Sequence, residues 1–245
     1  MPVTLCFDDA YEEVYTIGFP ILREYGIRGT LGIITDEIGG SFEGYPIMNL
    51  EQIKELYNNG WEIASHSITH PFLTTLTDEE VINELLNSRN TLRGFGFKVN
   101  AFEVPYGNYD DRIYNLVKKY YYSCRPSIWG TNSIPVEDRY MLKSKWVRND
   151  SSETIKTWID DAIANDVWLI IMFHNIDKPE REYNISSEDL RSVSQHLAEQ
   201  KIKVLNISEV LIPPSPLTSL IIPFALLFLI PLIKKKKNIK RKKTL

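Results

Sequence analysis

The chain has 245 residues, 43% of them hydrophobic and 24% charged, with a formal net charge of -4. That composition suits a globular domain with a sizeable core, alone or with an appendage. The net charge conceals an asymmetry. Eight basic residues and no acidic ones fall between Lys234 and the end, which leaves 20 Lys+Arg against 32 Asp+Glu, about -12, in residues 1–233. An acidic body repels polyanions, so nucleic acid is excluded as a partner of the globular part.

In chain order, short apolar runs predict strands over residues 3–7, 29–34, 62–64, 101–103, 122–124, 168–173 and 203–206. Helical patterns over 15–25, 50–58, 78–93, 110–119, 152–165 and 187–199 alternate with them. Thr77-Asp78-Glu79-Glu80 has capping-box spacing, and Ser186 to Asp189 resembles a second helix start. Such alternation predicts an α/β fold with a largely parallel sheet, and six or seven units in about 210 residues suit barrel-like closure. Cys6 and Cys124 read as small core residues in strands, and their number fixes neither a disulfide nor a compartment.

The domain is predicted to end at 211, before a stiff Pro-rich linker over 212–216. Residues 217–233, LTSLIIPFALLFLIPLI, carry no charge and predict a transmembrane segment at the short end of the usual range. Pro223 and Pro231 are tolerated in lipid, and the basic tail 234–245 is a stop-transfer flank. The positive-inside rule then places the tail in the cytoplasm and the domain outside, as a single-pass membrane protein. No signal peptide precedes the first strand, so the expectation is a true start upstream of Met1, the alternative being a tail-anchored protein with the domain inside.

Ligand sites of α/β folds gather past the C-terminal ends of parallel strands. Four polar clusters sit there. Asp8-Asp9 follows the first strand, and two adjacent carboxylates need an offsetting cation or positive partner. His66 and His70, four apart, can face one metal ion. Glu103-Val104-Pro105-Tyr106-Gly107 runs from a strand into a turn, and an apolar strand delivers His174. Alone, each has an ordinary reading as a cap, a surface residue, a loop or a core edge. Together they offer an Asp and two histidines as a three-ligand set, with a carboxylate and a histidine left over as base and acid.

The ordered set resembles the polysaccharide deacetylase family with the NodB homology domain (carbohydrate esterase family 4), whose motifs run T-F-D-D-G, H-S/T-x-x-H, R-x-P-Y and L-x-H. Cys6-Phe7-Asp8-Asp9-Ala10 departs at Cys6 and Ala10, His66-Ser67-Ile68-Thr69-His70 matches fully, Glu103-Val104-Pro105-Tyr106 departs at its first position, and Ile171-Met172-Phe173-His174 matches loosely. The resemblance covers roughly residues 1–211. It implies a deformed (β/α) barrel of about seven parallel strands that removes N-acetyl groups from a polysaccharide. It further implies Asp9, His66 and His70 as ligands of a divalent metal, commonly Zn²⁺. Asp8 would be general base, His174 general acid, and the Tyr106 backbone N–H an oxyanion donor.

Glu103 stands where the family has an arginine that orients the catalytic aspartate, and its charge is expected to raise the Asp8 pKa if close. Arg125 and Arg148, each near the end of a later strand pattern, are the candidate replacement cations. The family's D-x-x-x-W element is not evident, Asp150 and Trp158 being too far apart. Two other readings remain: a same-fold amidohydrolase for a small non-sugar amide, and a membrane-tethered glycan-binding protein without turnover. Tyr45, Trp129 and Trp146 read first as packing aromatics that could also stack on sugars. His196, on an amphipathic helix, carries no assigned role.

Overall fold

In the computed structural model, which describes residues 1–212, strand β1 (Pro2–Phe7) is buried along its whole length. That is the state of an apolar run covered on both faces of a parallel sheet. A π-helical turn over Val14–Gly18 and helix α1 (Phe19–Glu24) lead to β2 (Thr30–Ile33). A small hairpin, β3 (Ser41–Phe42) and β4 (Tyr45–Pro46), and α2 (Leu50–Asn58) precede β5 (Glu62–Ser65). Then come α3 (Asp78–Gly94), β6 (Val99–Glu103), α4 (Asp111–Tyr120), β7 (Ser123–Arg125) and β8 (Lys145–Trp146). The described chain closes with α5 (Ser152–Ala164), β9 (Leu169–Phe173), the short pair β10 (Asn175–Ile176) and β11 (Asn184–Ile185), α6 (Ser187–Glu199), β12 (Lys203–Val204) and α7 (Ile207–Leu211). The predicted caps form: Thr77 and Glu80 make a reciprocal capping box on α3, and the Ser186 side chain accepts from Asp189 N–H on α6.

The sheet runs β7-β6-β5-β2-β1-β9-β8, with β12 beside the start of β1, and every pairing in it is parallel. The expected barrel is a half-barrel, because β7 and β8 end the path without pairing to each other. Connecting chain crosses the gap: Cys124 N–H donates to Arg139 O at 2.9 Å, and Leu142 N–H donates to Cys124 O at 3.2 Å. Those contacts bind a connecting segment to the edge strand β7, a pairing that hydropathy along the chain does not encode.

Side chains alternate faces along each strand. Leu5 and Phe7 of β1, Leu31 and Ile33 of β2, and Ile171 and Phe173 of β9 belong to the main core, which also takes in buried faces of the helices. Cys6, Ala64, Ala101, Trp168 and Ile170 form a second, smaller cluster on the opposite face, closed by Ile207 of α7. The same parity carries Asp8, Gly32, His66, Glu103, Arg125, Met172 and His174 onto that inner face, at or just past the strand C-termini. A parallel sheet sets all those C-termini on one rim, so the fold itself converts scattered sequence positions into one polar layer. Both cysteines are free and buried.

Among the described residues, no helix is long and apolar enough to cross a membrane. The predicted transmembrane segment 217–233, the basic tail 234–245, and all of the predicted 212–216 linker but Ile212 lie outside the described residues.

Candidate active site

Asp9 follows β1 in the left-handed region, φ 67°, and turns its carboxylate towards the loop after β5. Asp9 Oδ1 lies 3.3 Å from His66 Nε2 and 3.5 Å from His70 Nε2, and the two Nε2 atoms are 3.1 Å apart. Two ligand atoms of a tetrahedral ion with bonds of ~2.0–2.1 Å stand about 3.3–3.4 Å apart, so the three edges match that spacing. All three residues are buried.

The donor chemistry points the same way. His66 Nδ1 lies 2.8 Å from the Glu103 carbonyl oxygen, which only accepts, so the proton of the neutral ring sits on Nδ1. Its Nε2 lone pair then faces a carboxylate oxygen and a second imidazole nitrogen, an arrangement that repels unless a positive charge enters. With only protons available, the groups compete for one charge. Burial opposes protonation of His66, but the Asp9 hydrogen bond and the charges of Asp8, Asp9 and Glu103 outweigh it and push its pKa up to about 9. Burial and the neighbouring His66 push His70 down to about 3. A divalent cation among the three atoms satisfies all of them, and the residues fit one.

The loops that carry these groups are held out of ordinary backbone geometry. Asp9, Ala10, Ser67, His70 and Tyr106 all have φ between 55° and 69°, a region that costs non-glycine residues roughly 1–2 kcal/mol each. Ala10 thus occupies a backbone position suited to the family's glycine. Glu84 of α3 secures the histidine turn by accepting from the Ile68 and Thr69 N–H groups at 2.7 and 3.1 Å and from Thr69 Oγ1 at 2.8 Å. Glu84 escaped the sequence reading. Its signal was a carboxylate on the buried stripe Val81, Leu85, Ser88 and Leu92. Gly107 has φ 67° and abuts Ser127, so a side chain there would collide with it.

Asp8 enters the inner layer beside Arg125. One guanidinium nitrogen, Nη2, donates to both Asp8 oxygens at 2.6 and 2.7 Å, and stands 3.2 Å from Glu103 Oε1. Nη1 points at Met172 Sδ, 2.9 Å away. Glu103 and Arg125 are register partners on adjacent strands, so the cation expected at 103 is supplied one strand over. Burial alone would raise the Asp8 pKa, but Arg125, with help from His66 and His174, holds it well below the carboxylate range. The expectation that Glu103 would raise Asp8 is therefore corrected: Arg125 sits against both carboxylates and outweighs the repulsion. Burial, opposed by Arg125 and reinforced by Asp8, instead raises Glu103. Arg125 therefore favours the ionised form of Asp8 more strongly than that of Glu103. Arg148 does not reach Asp8. It is half-exposed, with Nη2 2.6 Å from Tyr183 OH and 3.4 Å from Glu182.

Asp8, Asp9, His66, His70, Tyr106 and His174 all line one cavity of about 410 Å³. The Tyr106 ring is half-exposed and stacks on Phe72, centroids 4.0 Å apart at 13°, with its edge geometry to His70 at 4.4 Å. His196 bonds Asp160.

A family model described as Polysaccharide deacetylase matches residues 1–124. The chain belongs to that family. Over 171 residues it is 28% identical to the poly-beta-1,6-N-acetyl-D-glucosamine N-deacetylase of Staphylococcus epidermidis, covering 64% of this chain and 58% of that protein. Over 126 residues it is 28% identical to chitin deacetylase 1 of Cryptococcus neoformans, covering 51% and 25%. The chain thus spans between a quarter and three fifths of the length of these relatives. Among solved structures, the family 4 carbohydrate esterase from Streptomyces lividans, in complex with acetate, superposes with a TM-score of 0.58 at 20% identity over 83% of this chain and 91% of that one. That likeness is one of fold.

Gly32 of β2 leaves the room that Glu103 occupies, since a Cβ there would run into Glu103 Oε2. Gly32→Ala is expected to cost about 1–3 kcal/mol in urea unfolding, and much less in a Glu103→Ala background. Equal costs in the two backgrounds would contradict a carboxylate packed over Gly32.

Proposed function

We propose that this domain is a metal-dependent hydrolase that removes N-acetyl groups from N-acetylhexosamine units of a polysaccharide, releasing acetate. The observation that carries the reading is the convergence of Asp9, His66 and His70 at ion-binding spacing in a cavity that Asp8 and His174 also line. Family membership supports it, as do relatives whose names specify acetylated glucosamine polymers. The imidazole and carboxylate set favours Zn²⁺.

The amide is a poor electrophile and water a poor nucleophile. A cation held by Asp9, His66 and His70 would supply Lewis acidity to both. Asp8, kept ionised by Arg125, takes a proton from the attacking water. The Tyr106 N–H donates to the oxygen that gains charge as the carbonyl carbon becomes tetrahedral. His174 gives a proton to the nitrogen as the C–N bond breaks, so a free amine and acetate leave. The half-exposed Phe72–Tyr106 pair at the rim offers an apolar face to a pyranose ring, which favours a sugar over a small amide. Asp8 held ionised by Arg125 favours turnover over mere glycan binding.

Acetate release from chitooligosaccharides, poly-N-acetylglucosamine and small amides, with added Zn²⁺ or Co²⁺, tests the reading. Release is expected from the sugar polymers and should vanish, together with bound metal, in His66→Ala. Release that persists in that variant, or no release from any acetylated sugar, refutes it. Arg125→Lys keeps a charge but loses the planar fork, and kcat should fall about tenfold or more. An unchanged kcat removes Arg125 from the mechanism.

We also assign membrane attachment to residues 217–233, with the domain extracytoplasmic, on their uncharged run and the basic flank. The full chain should sediment with membranes, and a chain ending at Ile212 should not. Equal partitioning of the two counts against the anchor.

A further inference from the structure

The two histidines flanking the chemistry are held in different ways. His66 is fixed through its second ring nitrogen by the Glu103 carbonyl. His174 has no such anchor: among the described residues, its buried Nδ1 has no hydrogen-bond partner. An imidazole that must deliver a proton along one direction needs its ring plane set by something, because a misaligned acid loses most of its advantage. The ring against His174 belongs to Tyr183, with centroids 5.0 Å apart at 46°.

Tyr183 is itself fixed from several sides. Its hydroxyl lies 2.6 Å from Arg148 Nη2, and the Arg148 guanidinium carbon stands 4.9 Å from its ring centroid. Its carbonyl accepts from Asn175 N–H at 3.0 Å, one residue beyond His174. The backbone around it is tied to the segment after β8: Asn149 Nδ2 donates to Arg181 O at 2.8 Å, Asn149 N–H to Asn184 O at 2.9 Å, and Asn184 Nδ2 to Asn149 Oδ1 at 2.9 Å. Arg148 in turn is bound through its own N–H to Asp150 Oδ2 at 2.8 Å.

We propose that Tyr183, braced by Arg148, is the positioning residue of His174, setting by ring contact the orientation that a hydrogen bond to Nδ1 would otherwise set. This rests on the deacetylase reading and adds a role for two residues outside the four motifs. Arg148, which the sequence offered as a partner for Asp8, acts on the opposite half of the reaction. Through its hold on Tyr183 it serves proton delivery to the leaving nitrogen.

The two halves separate with substrates of different leaving groups. An N-acetylated oligosaccharide expels an amine that must gain a proton, whereas 4-nitrophenyl acetate expels a phenolate that needs none. Tyr183→Ala is expected to lower kcat on the amide about tenfold to a hundredfold, with kcat on the ester within about threefold of wild type and bound metal unchanged. Tyr183→Phe keeps the ring and should recover most of the amide rate, and Arg148→Ala should show the same amide-selective loss at smaller size. Arg125→Lys, which weakens the base needed by both substrates, should lower both rates together. Equal losses on the two substrates in Tyr183→Ala, or no loss on either, overturn the positioning role. If the wild-type protein deacetylates no sugar while still hydrolysing the ester, the deacetylase reading fails instead and takes this inference with it.

Discussion

A guanidinium buried between two carboxylates governs this site. Arg125 is 2% exposed and reaches Asp8 and Glu103 together. Taking an arginine out of water costs several kcal/mol unless its hydrogen bonds are met, and deleting one member of such a buried set typically costs about 3–5 kcal/mol. Here one nitrogen bridges both oxygens of Asp8, and the sulfur of Met172 takes a further contact. The resulting geometry fixes the carboxylate of Asp8 at the mouth of the inner layer.

Asp8 and Asp9 are adjacent in sequence and opposite in circumstance. Strand parity sends Asp8 inward to the arginine, while the left-handed turn at Asp9 swings the next carboxylate to the two imidazoles. Environments that separate like groups are how one fold assigns distinct tasks to identical chemistry. The acid that stays ionised against a guanidinium is available as a base. Its neighbour, facing lone pairs, is available as a ligand. Glu103, lodged over a glycine, supplies a carbonyl to one histidine and a carboxyl oxygen to the arginine.

Much of this was legible in the chain. The strands of three to six residues and every α-helix except the terminal turn could be read from apolar runs and capping signals, because local periodicity determines them. Of the two-residue strands only Lys203–Val204 falls within a predicted run; the others, Lys145–Trp146 among them, hold too few residues to show a period. The motif residues were placed correctly at strand ends, since parallel order alone dictates that rim. Which arginine would serve Asp8 was not readable: Arg125 and Arg148 carry the same local signal, and only the register of Glu103 against Arg125 distinguishes them. The half-barrel's open seam was hidden for a similar reason, being a matter of which distant segments meet. Glu84 and Tyr183 belong to no motif, and their importance comes from what they touch.

The shared parity of the inner layer has an evolutionary corollary. Adding or removing one residue within β1, β5, β6 or β9 would turn Phe7, Phe102 or Phe173 into the cavity and the functional side chain out among the helices. Strand length is therefore tied to the position of the polar side chain at its end. Variation in length can enter only through the connections that do not bear these side chains.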